Sequence, residues 1–529
     1  MLRSVPGDSF GVSPHFVVAL AGCLVLSACA ARVPTPADDR PERLARAAAL
    51  VAEGCYDCLL DARHIYAGLA GNEPSGAALG LRMFELDLLL ALREKELALA
   101  SGASLDRARA AVPRLPDTVD GGRLVQMVER VRADADGIPF VDQPPLERSS
   151  PFEGDVDWVA WLARHPDLSP LAREYLAVSV ACGAPRPDRR RLAEISASET
   201  PLLRYRRAIC VRPSSREDLE LVRTDVPAFA EAAAFEARTA FAELSRTDGS
   251  QMRELLEVAY ARFPRSPLVL LYMGLGAQTT GECREAADWF TRTLAVRPRH
   301  ERARLGRAIC RTYLGEPQEA IADATVLIEA GAYNQADAYY WRAYNRHRLQ
   351  ELEPARQDIE RAKRAQPAPS RVFTLAGIIE HDQGELEAAE ADLALAVRDP
   401  VECLARWYYG VVGYKMRHWP DSASRFASAE QCYRQSADRS RQEREGMLRR
   451  TDLEPAFRER QIAGFDAAIR EDTALAVGAA LDAATALAVS GDKAAALAAL
   501  ERAWDDPRTD RKETVLRLLA DADEPEHDP

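Results

Sequence analysis

The chain has 529 residues, 47% of them apolar, 7% aromatic and 29% charged, with a formal net charge of −13. That content supplies buried cores and carries too many charges for a chain made of membrane spans, and its acidity argues against a general nucleic-acid role, because phosphate binding needs a cationic face. Ala, Leu, Arg and Glu dominate, all good helix formers, and no run of alternating β-branched residues points to a sheet.

Phe16 to Leu26 is an apolar run too short to span a bilayer as a mature helix. It follows a weakly basic segment containing Arg3 and ends in Leu26-Ser27-Ala28-Cys29. That tetrapeptide resembles the lipobox of bacterial lipoproteins, which implies a signal peptide over 1–28, cleavage before Cys29 and lipidation of Cys29. By the same resemblance, Ala30 and Ala31 imply an outer-membrane lipoprotein facing the periplasm. Leu20-Ala21-Gly22-Cys23 also fits, with fewer apolar residues ahead of it, and a secretory signal cleaved after an alanine is a further reading. Residues 29–40 read as a Pro- and Asp-containing tether.

Helical patterning starts at Pro41, and 41–136 reads as helical hairpins. Leu44, Ala47, Ala48 and Val51 share one face, Gly54 breaks the helix, and a second runs from Tyr56 to Leu69. Residues 137–155, with four prolines and no apolar period, read as a linker or long loop. Trp158 and Trp161 open a degenerate repeat-like helical region over 156–266. Sharing one helix face, they suit core packing or an exposed anchor.

From 267 to 432 the sequence repeats about five times at a period close to 34 residues. Gly274, Gly281, Ala286, Phe290 and Leu294 are answered by Ala308, Gly315, Ala320, Ala324 and Ile328. Ala343, Ala355, Ile359 and Ala362 follow, then Gly377, Gly384, Ala389, Leu393 and Ala396, then Gly410, Ser422, Phe426 and Ala429. A pair of short helices cannot bury its apolar face alone, whereas stacked pairs share a core. These residues resemble the tetratricopeptide repeat (TPR), which implies an all-α α-solenoid of TPR and TPR-like hairpins: a right-handed superhelix binding protein partners through its concave face. Over 433–520 we expect a charged helix, a further TPR-like hairpin with Ala484, Gly491, Ala496 and Leu500, and a capping helix. The acidic tail 521–529 reads as disordered.

Cys182 and Cys210, Cys283 and Cys310, and Cys403 and Cys432 lie 28, 27 and 29 residues apart. In antiparallel helix pairs such residues return to one end of neighbouring helices, so three disulfides are expected, subject to Cα separation. Small buried apolar roles are the alternative. Cys55 and Cys58 form a CxxC at a helix start, suiting a local disulfide, a redox thiolate pair or half of a zinc site. No second CxxC and no haem-attachment histidine accompanies it.

Catalytic signatures return one match, Gly7-Asp8-Ser9-Phe10-Gly11, inside the signal segment with no preceding strand. No Walker A loop, Rossmann fingerprint or HExxH motif occurs. We therefore expect no catalytic residue, metal or cofactor.

If the copies stack as in the resembled family, the first helices place Leu271, Leu275, Ile309, Tyr313, Tyr340, Tyr344, His347, Arg348, Ile378, His381, Trp407, Tyr414 and Lys415 along the groove. Aromatic groups with polar tips are frequent binding anchors. Segment 297–371 holds 14 Lys and Arg against 10 Asp and Glu, a net +4 in an acidic chain, which favours an acidic ligand. The function this implies is a lipid-anchored scaffold or adaptor in a bacterial cell-envelope assembly, holding a partner peptide. The alternative is a periplasmic redox or cell-wall enzyme accessory built on Cys55 and Cys58.

Overall fold

The computed structural model describes residues 39–70, 76–97, 99, 103–133, 157–182, 192, 194, 198–210, 216–242, 250–332, 335–364, 368–451, 453, 455–503 and 509–521. The signal segment, Cys29, nearly all of the tether, the 137–155 stretch and 522–529 lie outside them. Among the described residues there are 24 α-helices, one short 3-10 turn and no strand.

Among the described residues, eleven of these helices precede the array: α1 (Arg40–Glu53), α2 (Tyr56–Ala70), α3 (Gly76–Glu96), α4 (Ala103–Ala111), α5 (Gly121–Ala133), α6 (Trp158–Ala163), α7 (Pro170–Ala181), α8 (Pro201–Cys210), α9 (Arg216–Asp225), α10 (Ala230–Ala242) and α11 (Ser250–Arg262). The α1–α2 turn uses Gly54 at φ 73°, and the Leu202 side chain presses on its Cα where a Cβ would stand. Only glycine fits there. Helix α3 is buried along nearly its whole length from Phe84 to Leu92, so its apolar residues go all the way round rather than along one stripe. Tyr175, Tyr205, Phe229 and Phe235 close on it in one core that continues to Cys310 in the array. Trp158 and Trp161 are buried edge-to-face, with Arg123 over both rings, so they are core residues.

The array alternates first and second helices: α12 (Pro267–Thr279) with α13 (Cys283–Val296), α14 (Glu301–Tyr313) with α15 (Pro317–Glu329), α16 (Gln335–Arg348) with α17 (Leu352–Ala362), α18 (Ser370–Gln383) with α19 (Leu386–Ala396), and α20 (Cys403–Lys415) with α21 (Trp419–Arg449). The small residues mark close approaches. The Phe290 ring is wedged between Gly274 of its own copy and Gly306 of the next, so a Cβ at either position would stand 2.6–2.7 Å from it. Leu393 fills the same place against Gly377, and Phe426 against Gly410.

The C-terminal end departs from the expected short pieces. Helix α21 runs unbroken for 31 residues, and α22 (Pro455–Ser490) returns along it for 36. Helices α23 (Lys493–Arg502) and α24 (Thr509–Asp521) pack onto α22 around Ala484, Ala496, Leu500 and Val515. Among the described residues α22 alone is long and apolar enough to cross a membrane by length and composition. Its apolar half is an alanine-rich face buried against α21, α23 and α24, which is how a core helix passes the same test.

Candidate protein-binding groove

Each first helix packs against the first helix of the next copy, whereas successive second helices meet far less. First helices are therefore the inner row and their free faces line a groove. Tyr313 projects from the end of α14 with 71% of its surface exposed. Its ring lies 6.1 Å, edge-on, from Trp341 of α16, which in turn meets Tyr340 at 5.2 Å and Tyr344 at 5.8 Å. Arg371 of α18 sits 5.1 Å over the Tyr340 ring, and Arg348 is exposed, donating to the Thr312 carbonyl at 2.8 Å. Burial pushes the Tyr340 hydroxyl up to about 12, so it stays a donor at any ordinary pH.

Further along, Asp382 bridges two first helices: His347 Nε2 lies 2.7 Å from one carboxylate oxygen and His381 Nδ1 2.8 Å from the other. Although partial burial works to raise it, the hydrogen bonds from both histidines hold Asp382 below the usual carboxylate range. The His381 ring stands edge-on to Tyr408. Trp407 donates from Nε1 to Asp482 on α22 at 2.8 Å, so the returning helix takes that indole. Ile309 and Tyr414 are half-buried and Lys415 is exposed.

Three expected groove residues are corrected. Leu271, Leu275 and Ile378 are buried in the packing between helices, because α12 and α18 are apolar on more than one face and those positions turn inward. Trp341 was missed, although its place beside Tyr340 in the 339–344 aromatic run marked it. The cationic surplus of 297–371 also changes meaning. Arg304, Arg307 and Arg311 converge on buried Asp323, and Arg342 and Arg346 on buried Asp358, at 2.7–3.2 Å. Those five tie the two helices of a copy together; of the segment's other cations, Arg348 and Arg371 lie at the groove, Arg371 paired with Asp337 at 2.6 Å, and beyond the segment Lys415 is exposed.

Disulfides join Cys55 to Cys58, Cys182 to Cys210, and Cys403 to Cys432, the last two with Cα atoms 5.4 Å apart. Cys283 and Cys310 differ from the expected bond. Both are thiols, hydrogen-bonded to one another, and burial ahead of that contact pushes Cys310 up. In the CxxC the Cys58 N–H donates to Cys55 Sγ at 3.0 Å, yet the two residues are 1% and 4% exposed. That burial shields the disulfide from an exchange partner, which weighs against a redox role.

No protein-family model matches the sequence, and a search of curated proteins finds no relative. Among solved structures, the chain is similar to a tetratricopeptide repeat protein from Parabacteroides merdae, with 19% identity over 54% of this chain and 99% of that one and a TM-score of 0.34. It is also similar to the Cut9–Hcn1 hetero-tetramer of the APC/C, with 12% identity, 92% and 87% coverage and a TM-score of 0.36. Yeast Tom70 gives 12% identity, 92% and 89% coverage and a TM-score of 0.30. At these identities and scores the likenesses carry no argument of their own. Read from its own helix pairs, the protein is an all-α solenoid with units of the tetratricopeptide type.

Proposed function

We propose that this protein is a scaffold that holds an extended segment of a partner protein in the groove of its repeat array. The observation that carries this is the joined cluster of Tyr313, Trp341, Tyr340 and Tyr344 on the inner row, with a tyrosine left mostly exposed. An exposed ring held rigid by its neighbours offers large contact area at low entropic cost. Arg348, Arg371 and Lys415 at its edges favour carboxylates on the bound segment. Replacing Tyr344, Arg348 and Tyr414 by alanine together is expected to abolish capture of the partner while far-UV circular dichroism stays unchanged. Undiminished capture overturns the groove assignment.

The same reading places the scaffold in a bacterial cell envelope, tethered through lipid on Cys29, on the strength of the lipobox-like Leu26-Ser27-Ala28-Cys29. Labelled palmitate should enter the protein and be lost in Cys29→Ser, which should also leave the membrane fraction. Equal membrane association of that variant refutes the anchor.

A further inference from the structure

Two copies of the array share a charge clamp that the next copy inverts. Asp323 on α15 and Asp358 on α17 are buried carboxylates, each gripped by two or more arginines of its own first helix. The equivalent carboxylate on α19 is Asp392, but the positions that supplied arginine, 307 and 311 and then 342 and 346, have become Ala376 and Glu380. Where guanidinium stood, Asp392 meets a second carboxyl group.

One carboxyl oxygen from each of Glu360, Glu380 and Asp392 lies within 4.8 Å of the other two. Glu380 is 5% exposed and Asp392 7%, and Glu380 Oε2 is buried without a hydrogen-bond donor. Among the described residues, the cation that reaches them is Lys363, which caps the C-terminus of α17, at 2.7 Å from Glu360 and 2.6 Å from Asp392. It makes no ion pair with Glu380. Charged neighbours on the surrounding helices have partners of their own: Arg356 of α17 meets Glu385 and Arg361 lies over Tyr339. Arg346 and His347 of α16 go to Asp358 and Asp382, and His381 of α18 goes to Asp382. Glu390 of α19 is held by Arg425 of α21, Glu402 at the N-cap of α20 takes Thr374, and Tyr408 of α20 meets His381. Glu380 therefore faces Glu360, Lys363 and Asp392.

Two buried carboxylates this close cannot both ionise without severe repulsion, and one proton between them turns repulsion into a hydrogen bond. Burial, and after it the charge of Asp392, pushes Glu380 up to about 7. We propose that Glu380 and Asp392 hold one shared proton, and that this joint makes the α18–α19 packing, and with it the inner row, responsive to pH. With the proton bound, Glu380 donates to Asp392 and ties the two helices as arginine does in the preceding copies. With the proton released, two carboxylates oppose each other and Lys363 balances only one.

The folded chain then binds this proton more tightly than the unfolded chain does. Stability is full below the ordinary glutamate range and falls as pH rises towards about 7, then levels off once both states have lost the proton. Glu380→Gln keeps the donor permanently, and Glu380→Arg restores the arrangement of the earlier copies. Urea midpoints of the full chain should show the gap between Glu380→Gln and wild type widening from about pH 5 to about pH 7 and constant above about pH 7.5. Glu380→Arg should follow the Gln variant, and potentiometric titration at about pH 6 should count one proton fewer on Glu380→Gln than on wild type. A pH-independent gap with equal proton counts overturns the proposal. So does a gap that calcium or magnesium closes for wild type alone, which would make the cluster a cation site.

Discussion

Gln350 and Arg417 hold the backbone at φ 62° and 64°, at the turn where the other three copies place Gly281, Gly315 and Gly384 at 77–83°. That left-handed region costs an L-residue with a Cβ roughly 1–2 kcal/mol, partly offset by glycine's larger loss of chain entropy. Gln350→Gly and Arg417→Gly should each raise stability by about 0.5–1 kcal/mol, and Gly384→Ala should lower it by a similar amount, read from urea midpoints. The sequence period located these turns because most copies carry glycine. It gave no sign that Gln350 and Arg417 adopt the same strained geometry, since their side chains disguise the position. The same holds at Gly306, whose role appears only when the Phe290 ring is seen to reach across two copies.

Asp358 and its two arginines are the clearest case at the level of the helix pair. Removing the carboxylate leaves Arg342 buried without a counter-charge, and breaking a buried pair in this way costs about 3–5 kcal/mol. Asp358→Ala should therefore lower the chemical-denaturation midpoint strongly, while simultaneous replacement of Asp358, Arg342 and Arg346 by apolar residues should recover much of the loss. The existence and spacing of the helix pairs were legible from small residues and apolar period. The clamps were not, because an arginine on a helix face reads as solvated until its partner on the next helix is known. That is why the net charge of 297–371 pointed to a basic groove while five of its arginines serve internal ties. Likewise the break expected near Cys432 is absent, since the polar stretch Ser436–Arg449 continues α21 with α22 along its side.

Across the whole molecule, long-range polar contacts close the N-terminal helices into one body. Arg93 is fully buried, bonded to Glu96 and Glu231 and stacked 4.1 Å over the Tyr205 ring, while Tyr175 and Arg206 also bond Glu96. Ser266 donates to the Leu97 carbonyl at 3.0 Å, fixing the start of the array to the end of α3. Little of this follows from a local period, because apart from Arg93 and Glu96 the partners lie 79 to 169 residues apart. At the other end Cys403 to Cys432 ties α20 to α21 beside α22. Replacing both by serine should lower stability by about 2–4 kcal/mol, and reductant, which also opens Cys55–Cys58 and Cys182–Cys210, should lower the parent protein by more than it lowers the variant.

The central claim, that partners are held on the inner row at the aromatic cluster, is tested most directly by site-specific photocrosslinking in cells. A photoreactive residue at Tyr313 or Tyr344 should yield one discrete crosslinked partner. The same residue at Val326 or Leu395, exposed on second helices, should yield none. Equal crosslinking from the outer positions, or capture from Val326 and Leu395 alone, would contradict the account.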